Sequence, residues 1–139
     1  MDFVMTIGLN DDARAIREEV FMREQGYVDE FDDIDARAAH IVLYQEGEAC
    51  GCCRYFERDK SGEWALGRLA VRKKFRRRGL AEALIAKALE GMRSRGARSA
   101  YLDAQTYVRG LYEKFGFVQC GEEFLEEGNP HVPMRKIFA

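Results

Sequence analysis

Residues 67–84 read GRLAVRKKFRRRGLAEAL, and the succession of chemical types along this stretch decides the fold. A β-type apolar segment ends at Val71, six of the seven residues from Arg72 to Arg78 are Lys or Arg, and Gly79 opens a segment of helical periodicity. That helix is expected over residues 79–95, with Leu80, Leu84, Ile85, Ala88, Leu89 and Met92 on one stripe and Gly96 placed to cap its end. A helix start leaves backbone N–H groups unpaired and carries partial positive charge, so it favours an anion. Gly79 and the small Ala81 let a ligand approach the backbone closely. The arginines add charge-assisted hydrogen bonds to phosphate oxygens. Strand, basic loop, glycine and helix together describe a pyrophosphate cradle. A charge run alone is ordinarily a solvated loop or a nucleic-acid patch; the context favours the phosphate ligand here. Two other phosphate patterns, G-x-x-x-x-G-K-[ST] and G-x-G-x-x-G after a first strand, are absent.

Working outward, residues 64–71 follow two further β-like segments, 40–45 and 49–57, joined by the short Glu46-Gly47-Glu48 connection; with a turn at 59–62 they read as three adjacent antiparallel strands. Before them, Phe3, Met5 and Ile7 alternate in a short strand over 1–8. Asn10 or Asp11 then caps a helix reaching about Gln25, with Ala13, Ile16, Val20 and Phe21 at helical spacing. Residues 29–35, DEFDDID, hold five acidic residues in seven and read as a solvated loop. After the central helix come a strand at 99–104, a helix at about 107–115 carrying Leu111, Tyr112 and Phe115, and closing strands at 117–120 and 131–138. The Pro130 and Pro133 positions suit a sheet edge. The fold class is α/β (α+β), a single layered domain over residues 1–139, and the closing strands leave an edge on which a homodimer could pair.

Composition narrows the function. Hydrophobic residues at 47% and charged residues at 33% are the balance of a chain with a core, which excludes a disordered or fibrous protein. With 22 basic against 24 acidic residues, the net charge of -2 argues against a general nucleic-acid binder, and only Phe75 lies within the basic patch to stack a base. No apolar run approaches a membrane span, and the N-terminus is acidic where a secretory signal is basic, so a cytoplasmic, non-membrane protein is expected. Cys50 and Cys53 spell C-x-x-C, but on a strand they would point to opposite faces; the cysteines read as small buried hydrophobes, not as a redox or zinc site. His40 and His131 both begin strands and read as structural. Without a carboxylate cluster they make no metal site.

The run Arg76-Arg77-Arg78-Gly79-Leu80-Ala81 resembles the R/Q-x-x-G-x-G/A acyl-CoA signature of the GNAT (Gcn5-related) N-acetyltransferases, and Leu111-Tyr112-Glu113-Lys114-Phe115-Gly116-Phe117 resembles that family's closing motif. The resemblance is strong over residues 64–120 and looser before them. It implies a mixed central sheet with helices on both faces, a fourth strand splayed from the fifth, and acetyl-CoA as cosubstrate. It assigns the pantetheine arm to the backbone of Leu69, Ala70 and Val71, and the pyrophosphate to Arg76 and to the N–H groups of Arg77, Arg78, Gly79, Leu80, Ala81 and Glu82. Gln105 stands where many members place a cofactor-binding Asn. Tyr112, which by periodicity alone is core, takes the role of proton donor to the departing thiolate.

The resemblance further implies transfer of an acetyl group to a small-molecule amine or a peptide N-terminus by direct attack. No serine elbow or Cys/His dyad points to an acyl-enzyme. Asp103, Glu24 or an ordered water could take the amine proton, and residues 29–35 could border the acceptor as a negative rim. The alternatives are a non-catalytic acyl-CoA-binding or sensing domain and a nucleic-acid module built on residues 72–78.

Overall fold

The computed structural model describes residues 1–59 and 62–139; of the turn expected at 59–62, Lys60 and Ser61 lie outside the described residues. Strand β1 (Asp2–Ile7) leads into helix α1 (Asp11–Arg17), whose cap Asn10 accepts the Ala13 N–H at 2.8 Å. The helix runs on as a π-helical stretch, Glu18–Glu24, where the Gln25 N–H reaches back to the Val20 carbonyl. A 3-10 turn, Asp33–Ala36, sits in the acidic segment. Strands β2 (Ala39–Gln45), β3 (Glu48–Glu57) and β4 (Glu63–Val71) precede helix α2 (Leu80–Ser94) and strand β5 (Ser99–Gln105). A 3-10 turn, Thr106–Val108, and the short helix α3 (Arg109–Glu113) then lead to β6 (Val118–Gln119), β7 (Phe124–Glu126) and β8 (Asn129–Ile137).

The described strands form one mixed sheet in the order β1-β2-β3-β4-β5-β8-β6, with β7 also on β8. Strands β2, β3 and β4 pair antiparallel as expected, and β4 and β5 are parallel neighbours joined through α2. Alternation along the central strands divides the core. Ile41, Leu43, Cys53 and Tyr55 pack with the α2 stripe, whereas Val42, Cys52 and Ala70 pack with Ala13, Ile16, Val20 and Phe21 of the first helix. The fold is therefore α/β with α1 and α2 on opposite faces. The six stripe residues of α2 are all buried, and each large one contributes roughly 1.5–3 kcal/mol of burial free energy.

Three local expectations change. Cys50 and Cys53 face the same core, because the β2–β3 register shifts between Leu43 and Tyr44 and inserts Cys50 as a bulge that reverses the alternation. Strand β8, with both prolines, lies inside the sheet, between β5 and the β6–β7 pair. Pro133 is tolerated there because its carbonyl accepts the Cys120 N–H, so its missing donor faces the break between β6 and β7 and not β5. On β1, Phe3 packs against the α2-side core, but Met5 and Ile7 are exposed on the edge strand.

Candidate active site

The start of α2 borders a pocket of about 350 Å³ lined by Val71, Phe75, Arg76, Arg77, Gly79, Leu80, Ala81 and Glu82. Gly79, the helix cap, has φ +76° and offers no capping side chain, so the N–H groups of the first turn stay open to a ligand. Arg77 is also left-handed, at φ +66°. Left-handed residues beside right-handed ones turn successive N–H groups inward as an anion nest. The basic run divides in two. Arg72 pairs with Glu19 and Glu48, Lys74 with Glu48, and Arg76 with Glu24 in a two-pronged contact at 2.6 and 2.7 Å. Arg77 and Arg78 carry no carboxylate partner among the described residues; Arg78 donates to the Lys74 carbonyl at 3.4 Å and lies over the Phe75 ring, so neither positive charge is neutralised.

Strands β4 and β5 pair only through Glu63, Trp64 and Ala65, then diverge. Beyond Ala65, the β4 edge that carries Leu69, Ala70 and Val71 has no strand partner on the β5 side. A bulge in β4, where the β3 register shifts between Cys52 and Arg54, places Arg68 at φ +52° inside the strand. The Arg68 guanidinium reaches across to the Glu30 carbonyl and carboxylate at 3.0 Å each and to Asp32 at 3.4 Å.

The splay opens a cleft of about 700 Å³ whose lining includes Tyr27, Leu69, Tyr101, Asp103, Gln105, Tyr112, Glu126 and His131. Tyr112 stands edge-on to Phe117 and is 9% exposed. Burial first, then the neighbouring Cys53 and Tyr107, hold its phenol well above the usual value, so the hydroxyl keeps its proton. Gln105 donates to Gln25 Oε1 at 2.9 Å and to the Tyr27 hydroxyl at 3.3 Å. Asp103 is in the cleft and accepts the Tyr101 hydroxyl at 2.7 Å. Glu24 does not line the cleft; its hydrogen bonds from Arg76 hold its carboxyl below the ordinary range.

The acidic segment is not a solvated loop. Arg17, buried in the first helix, binds Glu30 at 2.8 Å and Asp35 at 2.8 Å, and Arg54 binds Asp32 at 2.7 Å and Asp35 at 2.8 Å. His40 donates to the Asp35 carbonyl at 2.9 Å, the structural role expected of it. Most of the negative charge is thus neutralised from beneath. Cys50, Cys52 and Cys53 are buried, and burial pushes the Cys52 thiol up to about 12.

The 29–35 segment named above supplies Asp29, Glu30 and Ile34 to the cleft, but other parts of its wall escape sequence reasoning. Tyr27, which lines the cleft, and Gln25, which holds Gln105, follow the π-helical stretch, which has no recognisable sequence signal. The wall made by β7 and β8 turns at Glu127 and Gly128, both left-handed at φ +48° and +79°. That two-residue turn repeats the Glu46-Gly47 one, at φ +51° and +80°, so an E-G dipeptide between apolar segments is a signal that could have found it.

Residues 11–138 match the family described as acetyltransferase (GNAT) domain. A relative from Bacillus subtilis (strain 168), named as an uncharacterized N-acetyltransferase, YjcF, is 38% identical over 129 residues that cover 90% of this chain and 90% of that protein. Among solved structures, ElaA of Escherichia coli superposes with a TM-score of 0.87 at 25% identity, covering 97% of this chain and 98% of that one. An acyl-CoA N-acyltransferase of Pseudomonas aeruginosa superposes with a TM-score of 0.86 at 26% identity, covering 98% and 99%.

Proposed function

The chain belongs to the GNAT acetyltransferase family, whose members use an acyl-CoA and act on amine acceptors, and from that premise we propose an acetyl-CoA-dependent N-acetyltransferase working by direct amine attack, without an acyl-enzyme. The observation that carries this reading is that β4 borders both spaces: Val71 lines the pocket at the start of α2, and Leu69 lines the cleft opened by the splay. A ligand with a diphosphate at one end and a reactive group on an extended arm fits that continuity.

Acetyl-CoA, when bound, supplies an activated acetyl thioester. The N–H groups of Arg77 through Glu82, with the unneutralised Arg77 and Arg78 guanidiniums, hold the pyrophosphate. Arg76 shapes the same loop through Val71 and Glu24. The unpartnered edge at Leu69, Ala70 and Val71 pairs with the arm and aims N–H groups at the thioester carbonyl. Gln105 lines the cleft with Leu69 and orders it through Gln25 and Tyr27. Tyr112, held neutral by burial, protonates the departing sulfur. The acceptor is a small-molecule amine or a peptide N-terminus, and the setting is cytoplasmic. No described helix is long and apolar enough to cross a membrane.

The test is acetyl-CoA titration by calorimetry, followed by thiol release with spermidine, glucosamine and an alanyl peptide as acceptors. Saturable binding and amine-dependent release are expected. No affinity at millimolar acetyl-CoA sinks the reading, and binding without release from any amine reduces it to an acyl-CoA-binding domain.

A further inference from the structure

We propose that His131 is the group that takes the proton from the acceptor amine, an assignment that rests on the acetyltransferase reading above. His131, the third residue of β8, lies directly opposite Gln105 of β5, and directly opposed residues of an antiparallel pair project from the same sheet face. That is the cleft face, and His131 lines it while being only 4% exposed. Its Nδ1 lies 2.8 Å from the Asn129 carbonyl, which can only accept, so Nδ1 carries the hydrogen and the neutral ring keeps its lone pair on Nε2. Phe124 stacks on the ring, with centroids 5.8 Å apart, and fixes its plane. The nearest charged oxygen to Nε2 is Glu126 Oε2, at 3.6 Å, beyond hydrogen-bond distance. Two acceptors therefore stand side by side with no donor between them, a setting that an amine nitrogen completes.

Three of the five carboxylates that line the cleft are already committed. Asp103 accepts the Tyr101 hydroxyl, Glu127 accepts the Val28 and Asp29 N–H groups, and Glu30 lies under Arg17 and Arg68. The groups that share the cleft with the ring are Glu126 and Glu127 from the β7 end, Asp103 from β5, and Tyr27 and Asp29 from the segment after the first helix. The cations on its walls are tied elsewhere: Arg37 to the Glu57 carbonyl, Arg54 to Asp32 and Asp35, Arg58 to Glu63, and Arg68 to Glu30. An imidazolium formed at His131 thus has a carboxylate beside it and no free cation against it. His131 Nε2 takes the proton that the ammonium form of the acceptor sheds, which frees the amine lone pair; as that lone pair closes on the acetyl carbon and the carbon–sulfur bond opens, Tyr112 gives its proton to the sulfur and the second nitrogen proton passes to solvent. Both side chains regain their starting forms by exchange with solvent.

The experiment compares wild type with His131→Gln and His131→Ala, using whichever of spermidine, glucosamine or the alanyl peptide supports turnover. His131→Gln is expected to lower kcat/KM by about 100-fold at neutral pH, with acetyl-CoA affinity unchanged within about twofold. The deficit narrows as pH rises and the amine loses its proton unaided, and added imidazole restores part of the rate to His131→Ala. A deficit equal at every pH without rescue, or no deficit, overturns the assignment. Because a buried position can fail to tolerate substitution, long-range proton–nitrogen NMR on the wild-type imidazole gives an independent answer. The Nδ1–H tautomer with an Nε2 signal that moves on adding the amine supports the assignment, and the Nε2–H tautomer overturns it. A wild type that releases no CoA with any amine instead sinks the acetyltransferase reading, and the base assignment falls with it.

Discussion

Tyr112 shows how far one side chain's surroundings define its chemistry. It packs with Phe117 inside the larger core yet presents a hydroxyl to the cleft, where no described residue hydrogen-bonds it. Burial, the largest influence, raises its phenol well above the usual value, so the proton is fully present across the working pH range; a departing thiolate is a weaker base than this phenolate, so the transfer to sulfur runs uphill and is completed when solvent returns a proton to the ring oxygen. Tyr112→Phe removes the donor and keeps the ring. The expected outcome is a loss in kcat of about 100-fold with acetyl-CoA affinity within about twofold, checked by steady-state kinetics and calorimetry; unchanged turnover removes Tyr112 from the reaction. The motif made this residue legible. Periodicity alone reads it as core, and its packing shows that this reading was half right.

Elements carry the next level of the site. The α2 start works because Gly79 leaves its N–H groups uncapped, and a Cβ there would meet no neighbouring atom. Gly79→Asp adds left-handed strain of about 1–2 kcal/mol and sets a carboxylate against the N–H groups that the phosphates need. Acetyl-CoA affinity measured by calorimetry should fall at least about tenfold, and Gly79→Asn, with the same strain and no charge, should lose clearly less. On β4, Arg68 ties the bulge to the Glu30 segment. Arg68→Gly keeps the left-handed backbone and cuts that tie, so KM for the amine should rise about tenfold while acetyl-CoA affinity holds; equal effects on both would show that the bulge itself had collapsed. Helix α2, with a stripe, an opening glycine and a closing one, is written locally and was legible nearly to the residue. The bulge at Cys50 was not, and a bulge in β4 came only with the family resemblance, because a register shift depends on what the partner strand does and leaves no composition signal.

Across the whole molecule, the two halves of the site differ in how they are encoded. The pocket at the start of α2 is lined from within residues 71–82, whereas the cleft draws on residues 21–37, 54–58, 65–69, 101–112 and 126–131, which only the fold brings together. What fixes the 29–35 segment is the buried network in which Arg17 and Arg54 converge on Asp35. Burial raises the Asp35 carboxyl, but the hydrogen bonds from Arg17, the Asp32 N–H and Arg54 outweigh it and leave it well below the carboxylate range. A folded value below the unfolded one means that its stabilisation is present above roughly pH 4 and is lost as pH falls toward the folded value. His40, held low chiefly by burial, adds a loss that begins below about pH 6.5, where the unfolded chain takes up the proton first. Glu30 opposes both, since burial keeps its carboxyl raised despite Arg68 and Arg17. Asp35→Asn leaves two buried guanidiniums short of charge and should cost about 3–5 kcal/mol in urea unfolding at pH 7. The variant should also lose the steep fall in stability expected of the wild type as pH drops below about 4. A variant whose urea midpoint declines as steeply as the wild type below that pH would mean that other carboxylates, not Asp35, govern acid unfolding, and that the 29–35 segment is held by packing and not by charge.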